Sequence, residues 1–281
     1  MIEALQETLM DSLKLLPFLF VTYLVMELIE HKAGDKTTKV IKKAGNYGPI
    51  LGGLLGIVPQ CGFSVAAANL YAGRVITIGT LIAIFLSTSD EMLPILISEG
   101  TDIHLILQIL AIKIAIGILA GCLIDIILSK KIKKNSEEKI HEICEHEHCH
   151  CEEDGIIKSA IKHTIQIFIY IFIISLAINI LLFLIGEEKI AGIISDIPIV
   201  GALIACLIGL IPNCASSVVL TEMYLENIIA LGTMIGGLLV NSGLGLLILF
   251  KVNKDKKENF AILGILYLIG FISALIINLI F

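Results

Sequence analysis

The chain has 281 residues, of which 57% are hydrophobic and 16% charged, and its formal net charge is −6. A soluble domain usually carries about 25% charged residues, so this composition, with a mean hydropathy of +0.95, excludes an ordinary soluble protein. The apolar residues are continuous and do not alternate, which predicts membrane helices and not a β-barrel. Residues 1–12 hold three acidic residues and no lysine or arginine, so we expect no cleavable signal peptide.

Eight apolar blocks follow along the chain, at 12–30, 48–72, 75–97, 103–128, 158–185, 190–223, 228–250 and 260–281. The loops 31–47, 129–157 and 251–259 are rich in lysine, and the positive-inside rule places all three in the cytoplasm. If every block crossed the membrane once, the first two of these loops would lie on opposite sides. The conflict disappears if blocks 48–72 and 190–223 each enter and leave on one side.

Both of these blocks carry a helix breaker at their centre. Residues 56–64 read Gly-Ile-Val-Pro-Gln-Cys-Gly-Phe-Ser, and residues 209–217 read Gly-Leu-Ile-Pro-Asn-Cys-Ala-Ser-Ser. Proline removes a backbone donor and clashes with the preceding turn, so each block is predicted to be two half-helices that meet at a tip near mid-membrane. A kinked helix that crosses completely is the alternative, because proline kinks are common in membrane helices.

The two breakers belong to an internal repeat. A shift of 153 residues aligns residues 56–89 with the second half of the chain without a gap, placing Pro59 on Pro212 and Cys61 on Cys214. Chance similarity between apolar stretches would match Ile and Leu, but it would not match Pro, Cys, Tyr, Gly and Ser in one register.

The predicted fold is therefore an all-α polytopic membrane protein with two inverted repeats, each a helix, a re-entrant helical hairpin and two further helices. Residues 1–128 form the first membrane repeat, 129–157 a cytoplasmic linker rich in His and Cys, and 158–281 the second membrane repeat. Inverted repeats with broken helices at the midplane are typical of secondary transporters. A duplicated scaffold without transport activity is the alternative.

Polar residues cluster at the hairpin tips and on the helix after each hairpin. Broken helix ends leave backbone groups that can bind a solute or an ion. The acidic pair Asp90 and Glu91 costs about 2.5–3.5 kcal/mol per charge at a helix centre, so it either couples transport to an ion or proton or pairs with Lys113. The candidate substrate- or ion-binding residues are Gln60, Cys61, Ser64, Ser87, Thr88, Ser89, Asp90, Glu91, Asn213, Cys214, Ser216, Ser217, Asn241 and Ser242.

The central loop carries a second set of candidate ligands. Residues 141–154 contain four His, three Cys and six carboxylates, a composition that indicates metal binding. The spacing is not that of a folded zinc finger, so we interpret the tract as a cytoplasmic metal collector, with a solvated linker as the alternative. Its candidate metal ligands are His141, Cys144, His146, His148, Cys149, His150 and Cys151.

These motifs resemble a known family. The stretches 59–64, 87–94, 212–217 and 239–243 are similar to those of the ten-transmembrane heavy-metal exporters, whose members are labelled arsenic efflux proteins or manganese transporters. The resemblance covers essentially the whole chain, including the central loop, and ten segments agree with our count if each hairpin is scored as two. It implies efflux from the cell.

We therefore expect a secondary exporter of a heavy-metal or divalent metal cation in the cell (inner or plasma) membrane, and not an enzyme. Thiolate, carboxylate and carbonyl ligands suit a borderline metal. An arsenite or organoarsenical permease that uses Cys61 and Cys214 is one alternative, and a membrane metal sensor or scaffold acting through the central loop is another. The expected partners are the lipid bilayer and a metal or metalloid solute, with no nucleic acid and no required cofactor. A homo-oligomer stays open.

Overall fold

The structure, a computed structural model, describes residues 47–57, 61–89, 91–132, 198–213 and 215–280, and single helical residues between 9 and 24 and between 157 and 176. Throughout this part of the chain the regular structure is helical, with no strand. Four described stretches are long and apolar enough to cross a membrane, namely Ile78–Ser98, Ile103–Ile127, Leu231–Val252 and Lys256–Ile280. The predicted all-helical architecture is confirmed, and these apolar stretches agree with a polytopic membrane protein.

Ten helices have defined ends within the described residues. They are α1 (Gly48–Leu55), α2 (Cys61–Ala72), α3 (Ile78–Ser87), α4 (Met92–Ser98), α5 (Ile103–Ile132), α6 (Pro198–Gly209), α7 (Ala215–Leu225), α8 (Leu231–Val240), α9 (Gly245–Val252) and α10 (Lys256–Ile280). The first five correspond in order to the last five, and α8 begins and ends 153 residues after α3. The offset of 153 residues found in the sequence therefore also relates the ends of α3 to the ends of α8.

The packing of the helices follows the same correspondence. In the first half α3 packs between α1 and α5, and in the second half α8 packs between α6 and α10. The half-helices that follow the prolines pack across the halves, because α2 lies against α9 and α7 lies against α4. Each half of the chain therefore covers part of the other.

Close glycine contacts repeat at the same offset. A methyl group on Gly79 would overlap the Gly121 carbonyl oxygen and the Asp125 side chain. A methyl group on Gly232, 153 residues later, would overlap Asn278, which occupies the position equivalent to Asp125. Small residues allow membrane helices to approach closely, so these glycines bring α3 against α5 and α8 against α10.

Helix α1 runs parallel to α3. A methyl group on Gly48 would overlap Thr80 near the start of α3, and one on Gly56, just after α1, would overlap the Ser87 side chain at the end of α3. The eight residues of α1 span only about 12 Å at 1.5 Å per residue. The chain then returns through α2 to reach the start of α3.

Two membrane-length stretches are interrupted. Helix α3 ends at Ser87, Thr88 has an extended ψ of 131°, and α4 begins at Met92. Helix α8 ends at Val240, Asn241 has a ψ of 103°, and α9 begins at Gly245. Gly243 has a φ of +53°, a conformation that favours glycine. These interruptions are additional to the ones predicted at the prolines, and residues of both line the candidate site described below.

Candidate functional site

The two interrupted helices meet at a small polar pocket. Residues from both halves of the chain line it: Thr88, Ser89, Met92 and Lys113 from the first half, and Ser217, Leu238 and Asn241 from the second. The space between these side chains is too small to hold a water molecule. The pocket therefore lies where the interruption after α3, the last turn of α8, the middle of α5 and the start of α7 converge.

Lys113 provides the positive charge of the pocket. It lies in the middle of α5 and only 1% of its surface is exposed. Its ammonium group donates one hydrogen bond to the Thr88 carbonyl oxygen and another, at 3.1 Å, to the Leu238 carbonyl oxygen. Carbonyl groups in the last turn of a helix lack intrahelical partners and carry the negative end of its dipole. The ends of α3 and α8 thus hold a cation between them.

The hydroxyl groups after α3 are anchored by the helix itself. Ser87 Oγ donates to the Ala83 carbonyl oxygen at 2.8 Å, and Thr88 Oγ1 donates to the Ile84 carbonyl oxygen at 2.7 Å. Ser89 Oγ donates to the Ser87 carbonyl oxygen at 3.2 Å. A hydroxyl that donates its proton keeps oxygen lone pairs as acceptors, so these groups can still serve as oxygen ligands.

The second half contributes an amide and a serine to the pocket, and a second buried serine follows the amide in the chain. Asn241 Oδ1 accepts a hydrogen bond from Gly243 N at 2.9 Å, which fixes the turn after α8. Ser242 is 1% exposed, and its Oγ has no hydrogen-bond partner among the described residues. A buried hydroxyl without a partner is costly, but Ser242 does not line the pocket. Ser217, 2% exposed, lies one helical turn into α7.

The turn between α6 and α7, which is the predicted tip of the second hairpin, contains local hydrogen bonds. Asn213 is buried, and its backbone N–H donates to the Ile211 carbonyl oxygen at 2.7 Å. Ser216 Oγ donates to the Asn213 carbonyl oxygen, also at 2.7 Å. The tip is therefore ordered by its own polar groups, and Ser216 serves that turn.

The structure brings together four of the residues predicted from sequence, namely Thr88, Ser89, Ser217 and Asn241. Others lie elsewhere: Ser87 packs against Gly56, Ser64 packs against Gly245 at the start of α9, and Glu91 is half-exposed before α4. Asn213, Ser216 and Ser242 do not line the pocket, and the candidates outside the described residues or side chains stay predictions. These are Gln60, Cys61, Asp90, Cys214, His141, Cys144, His146, His148, Cys149, His150 and Cys151.

The described part of the chain contains no group of three or more His, Cys, Asp or Glu side chains that could hold a metal ion. The oxygen atoms of the pocket come instead from backbone carbonyls, hydroxyls and an amide. Such ligands bind hard cations. Sequence reasoning considered Lys113 only as a partner for a carboxylate and missed its two carbonyl partners.

A second polar cluster, also missed from the sequence, joins the two halves. Glu258, in the first turn of α10, accepts hydrogen bonds from Tyr71 Oη at 2.5 Å and from the Arg74 guanidinium at 3.0 and 2.7 Å. Asn253 Nδ2 donates to the same carboxylate at 3.0 Å. Burial alone would lower the pKa of Arg74, but its hydrogen bond to Glu258 and the nearby charge raise that pKa above its ordinary value. We call these four residues the latch.

The latch breaks the internal symmetry. The turn after α7 is equivalent to the turn that holds Arg74, and both have a left-handed residue, Arg74 with φ 58° and Asn227 with φ 59°. Asn227 is exposed, and its side chain bonds only locally, to the Leu225 carbonyl oxygen at 3.4 Å. The sequence offers one signal for the latch, since Arg74 is the single arginine of the chain.

Comparison with known proteins adds one match. A family model described as "Putative, 10TM heavy-metal exporter" matches residues 2–182, which is more than half of the chain. No curated protein and no solved structure matches the chain. The matched segment includes the interruption after α3, Lys113 and the central loop.

Proposed function

Since the chain belongs to the family of ten-transmembrane heavy-metal exporters, we propose that it is a secondary transporter that exports a heavy-metal or divalent metal cation. One observation carries the proposal: the pocket between the two interrupted helices holds an ammonium group with backbone carbonyl oxygens from both halves of the chain. A site that binds one cation with oxygen ligands has the chemistry to bind another.

Alternating access around this pocket is the proposed mechanism. Two inverted repeats with re-entrant hairpins would place the pocket near the bilayer midplane, where broken helices form the binding sites of secondary transporters. The repeated helix bounds and glycine contacts support the repeat. The parallel course of α1 and α3 supports a hairpin that returns to the side from which it entered.

The latch supports the same topology. The bond between Arg74 and Glu258 places the turn after α2 beside the loop 251–259. That loop is rich in lysine, and the positive-inside rule assigns it to the cytoplasm. In the proposed topology the first hairpin therefore opens toward the cytoplasm and the second toward the outside. The central loop then lies in the cytoplasm, where it collects metal for export.

An arsenical cargo is the second candidate. Cys61 and Cys214 occupy equivalent positions in the repeat, next to the two prolines, and a pair of thiols suits trivalent arsenic. The carbonyl-lined pocket favours a cation instead. The two candidates use different ligands and so respond to different substitutions.

Transport by purified protein in liposomes tests the proposal. Uptake of Mn²⁺, Zn²⁺, Cd²⁺ and arsenite is measured for the wild type, Ser217→Ala and Ser273→Ala. Ser217 lines the pocket, whereas Ser273 is a buried serine of α10 outside it. Ser217→Ala should lower the apparent affinity for the transported cation about tenfold, the loss of about 1.4 kcal/mol, and Ser273→Ala should not. Uptake of arsenite alone, abolished by Cys61→Ala and Cys214→Ala, would establish the second candidate instead.

Deletion of residues 141–154 separates transport from sensing. The proposal expects the deleted chain to transport metal in liposomes, because the pocket is built from the membrane helices. If the deletion abolished transport while Ser217→Ala left it intact, the central loop would carry the activity. A sensor or scaffold would then replace the transporter as the best explanation.

A further inference from the structure

We infer that Lys113 is a tethered cation, whose ammonium group fills the pocket whenever the pocket holds no cargo, so that cargo and ammonium replace each other in every cycle. The inference rests on the proposed function and deepens it, because it names the residue that allows the empty carrier to return.

The position of Lys113 carries the first step of the argument. Its side chain is among the largest fully buried ones of the described chain. It reaches from α5 to the Thr88 carbonyl oxygen, just after the end of α3, and to the Leu238 carbonyl oxygen, in the last turn of α8. The ammonium group therefore joins two broken helix ends from different halves, and the two negative ends of their dipoles stabilise it.

The internal repeat shows that packing alone does not require a lysine. The offset of 153 residues places Leu266 on α10 at the position equivalent to Lys113, and Leu266 is fully buried. An apolar side chain thus fills the same place in the second half. A charge at such depth is costly, and intramembrane charges mark functional sites by default. A lysine in one half only is therefore best explained by what it binds.

Competition between like charges gives the second step. Carbonyl and hydroxyl oxygens can accept hydrogen bonds from an ammonium group, and they can also coordinate a metal cation. Two cations a few ångströms apart in a membrane repel strongly, and the pocket has no space beside the ammonium group even for water. A cargo cation can therefore bind only when Lys113 leaves.

The exchange explains how the carrier returns without cargo. When the cation departs, the carbonyl oxygens of both helix ends would be left without a partner inside the membrane, which costs free energy. The ammonium group replaces the cation, so the pocket is satisfied in both phases of the cycle. Removing the lysine should therefore strengthen cargo binding but hinder the return of the empty carrier.

Binding and two modes of transport test the inference. Binding and transport of Mn²⁺ and Cd²⁺ are measured first for the wild type. The same measurements are then made for Lys113→Met, which keeps the side-chain length without the charge, and for Lys113→Arg, which keeps the charge. Lys113→Met should bind the transported cation about 5- to 150-fold more tightly, the range of typical coupling between competing sites. When the same cation is present inside and outside the vesicles, Lys113→Met should still exchange it across the membrane. When the outside buffer contains no cation, Lys113→Met should show no net efflux. Lys113→Arg keeps the positive charge on a bulkier group, so it should show more net efflux than Lys113→Met and less than the wild type.

The outcomes separate the two proposals. If the wild type transports neither cation, the proposed function fails. If the wild type transports but Lys113→Met binds and effluxes like it, only the tethered-cation inference is overturned. Weaker binding by Lys113→Met would also overturn it, because the lysine would then assist cargo binding and not compete with the cargo. Lys113→Leu, which copies position 266, provides the same readouts if the methionine variant does not fold.

Discussion

The latch provides the most direct test of how the two halves are held together. Glu258 accepts hydrogen bonds from Tyr71, Arg74 and Asn253, and it is the carboxylate on which the whole cluster converges. Replacing it in Glu258→Gln removes the charge and one acceptor oxygen while keeping the size. The Arg74 guanidinium then stays in a half-buried position without its counter-charge.

The burial of the pair determines the size of the effect. Breaking a buried ion pair costs about 3–5 kcal/mol, whereas an exposed pair contributes about 0–1 kcal/mol. The side chains of Arg74 and Glu258 are 18% and 26% exposed, so the pair lies between these limits. We expect Glu258→Gln to cost about 2 kcal/mol of local stability, which is about a 30-fold change in the ratio of closed to open latch.

Hydrogen exchange of the purified protein measures this change. Amide protection in peptides covering residues 70–77 and 253–259 should fall about 30-fold in Glu258→Gln, with little change elsewhere. Glu226→Gln is the matched control, because Glu226 is exposed and lies in the equivalent turn after α7. Combining Glu258→Gln with Arg74→Gln should show a coupling energy of about 1–2 kcal/mol. The latch would be refuted if the effects of Glu258→Gln and Arg74→Gln were additive, or if Glu258→Gln lost no more protection than Glu226→Gln.

Three further experiments test the packing and the topology. Gly79→Ala should lower the free energy of unfolding in detergent by about 1–3 kcal/mol, because the added methyl group has no room. Gly264→Ala is the control, because Gly264 has open space around it, and this change should be neutral or slightly stabilising. Equal effects of the two changes would contradict the close helix contact. Asp125→Asn should cost about 1 kcal/mol in the same assay, because the carboxylate accepts hydrogen bonds at the start of α3. In a cysteine-free chain, Glu226→Cys should react with an impermeant thiol reagent from outside and Lys257→Cys from the cytoplasm; reaction of both from one side would contradict inverted repeats.

The helical architecture and the internal offset could be predicted because their causes are local. Long apolar runs with few charges have one stable form in a bilayer, the helix, and the alignment of Pro59 with Pro212 and of Cys61 with Cys214 is visible in the letters of the sequence. The same offset relates Ser217 to Ser64 and Asn241 to Thr88, so both residues could be predicted as site candidates from the sequence.

The interruptions and the contacts of the site were harder to predict because their causes are not local. Neither interruption has a proline at its centre, and a short polar run such as Ser-Thr-Ser is compatible with a continuous helix. Lys113 binds backbone carbonyls 25 and 125 residues away in the chain, and backbone groups leave no mark in the sequence. The latch joins Arg74 to a residue 184 positions later, a contact that depends on how α2 packs against α9.

The crossed packing of α2 on α9 and of α7 on α4 has a consequence for biogenesis. During synthesis, the first five helices emerge without the surface that α2 needs, so this half-helix must wait, incompletely covered, until residues 245–252 have been made and inserted. Two separately expressed halves should therefore be short-lived alone and recover when co-expressed. Folding is therefore completed only after the second half of the chain has been inserted, and the two halves do not fold one after the other as independent units.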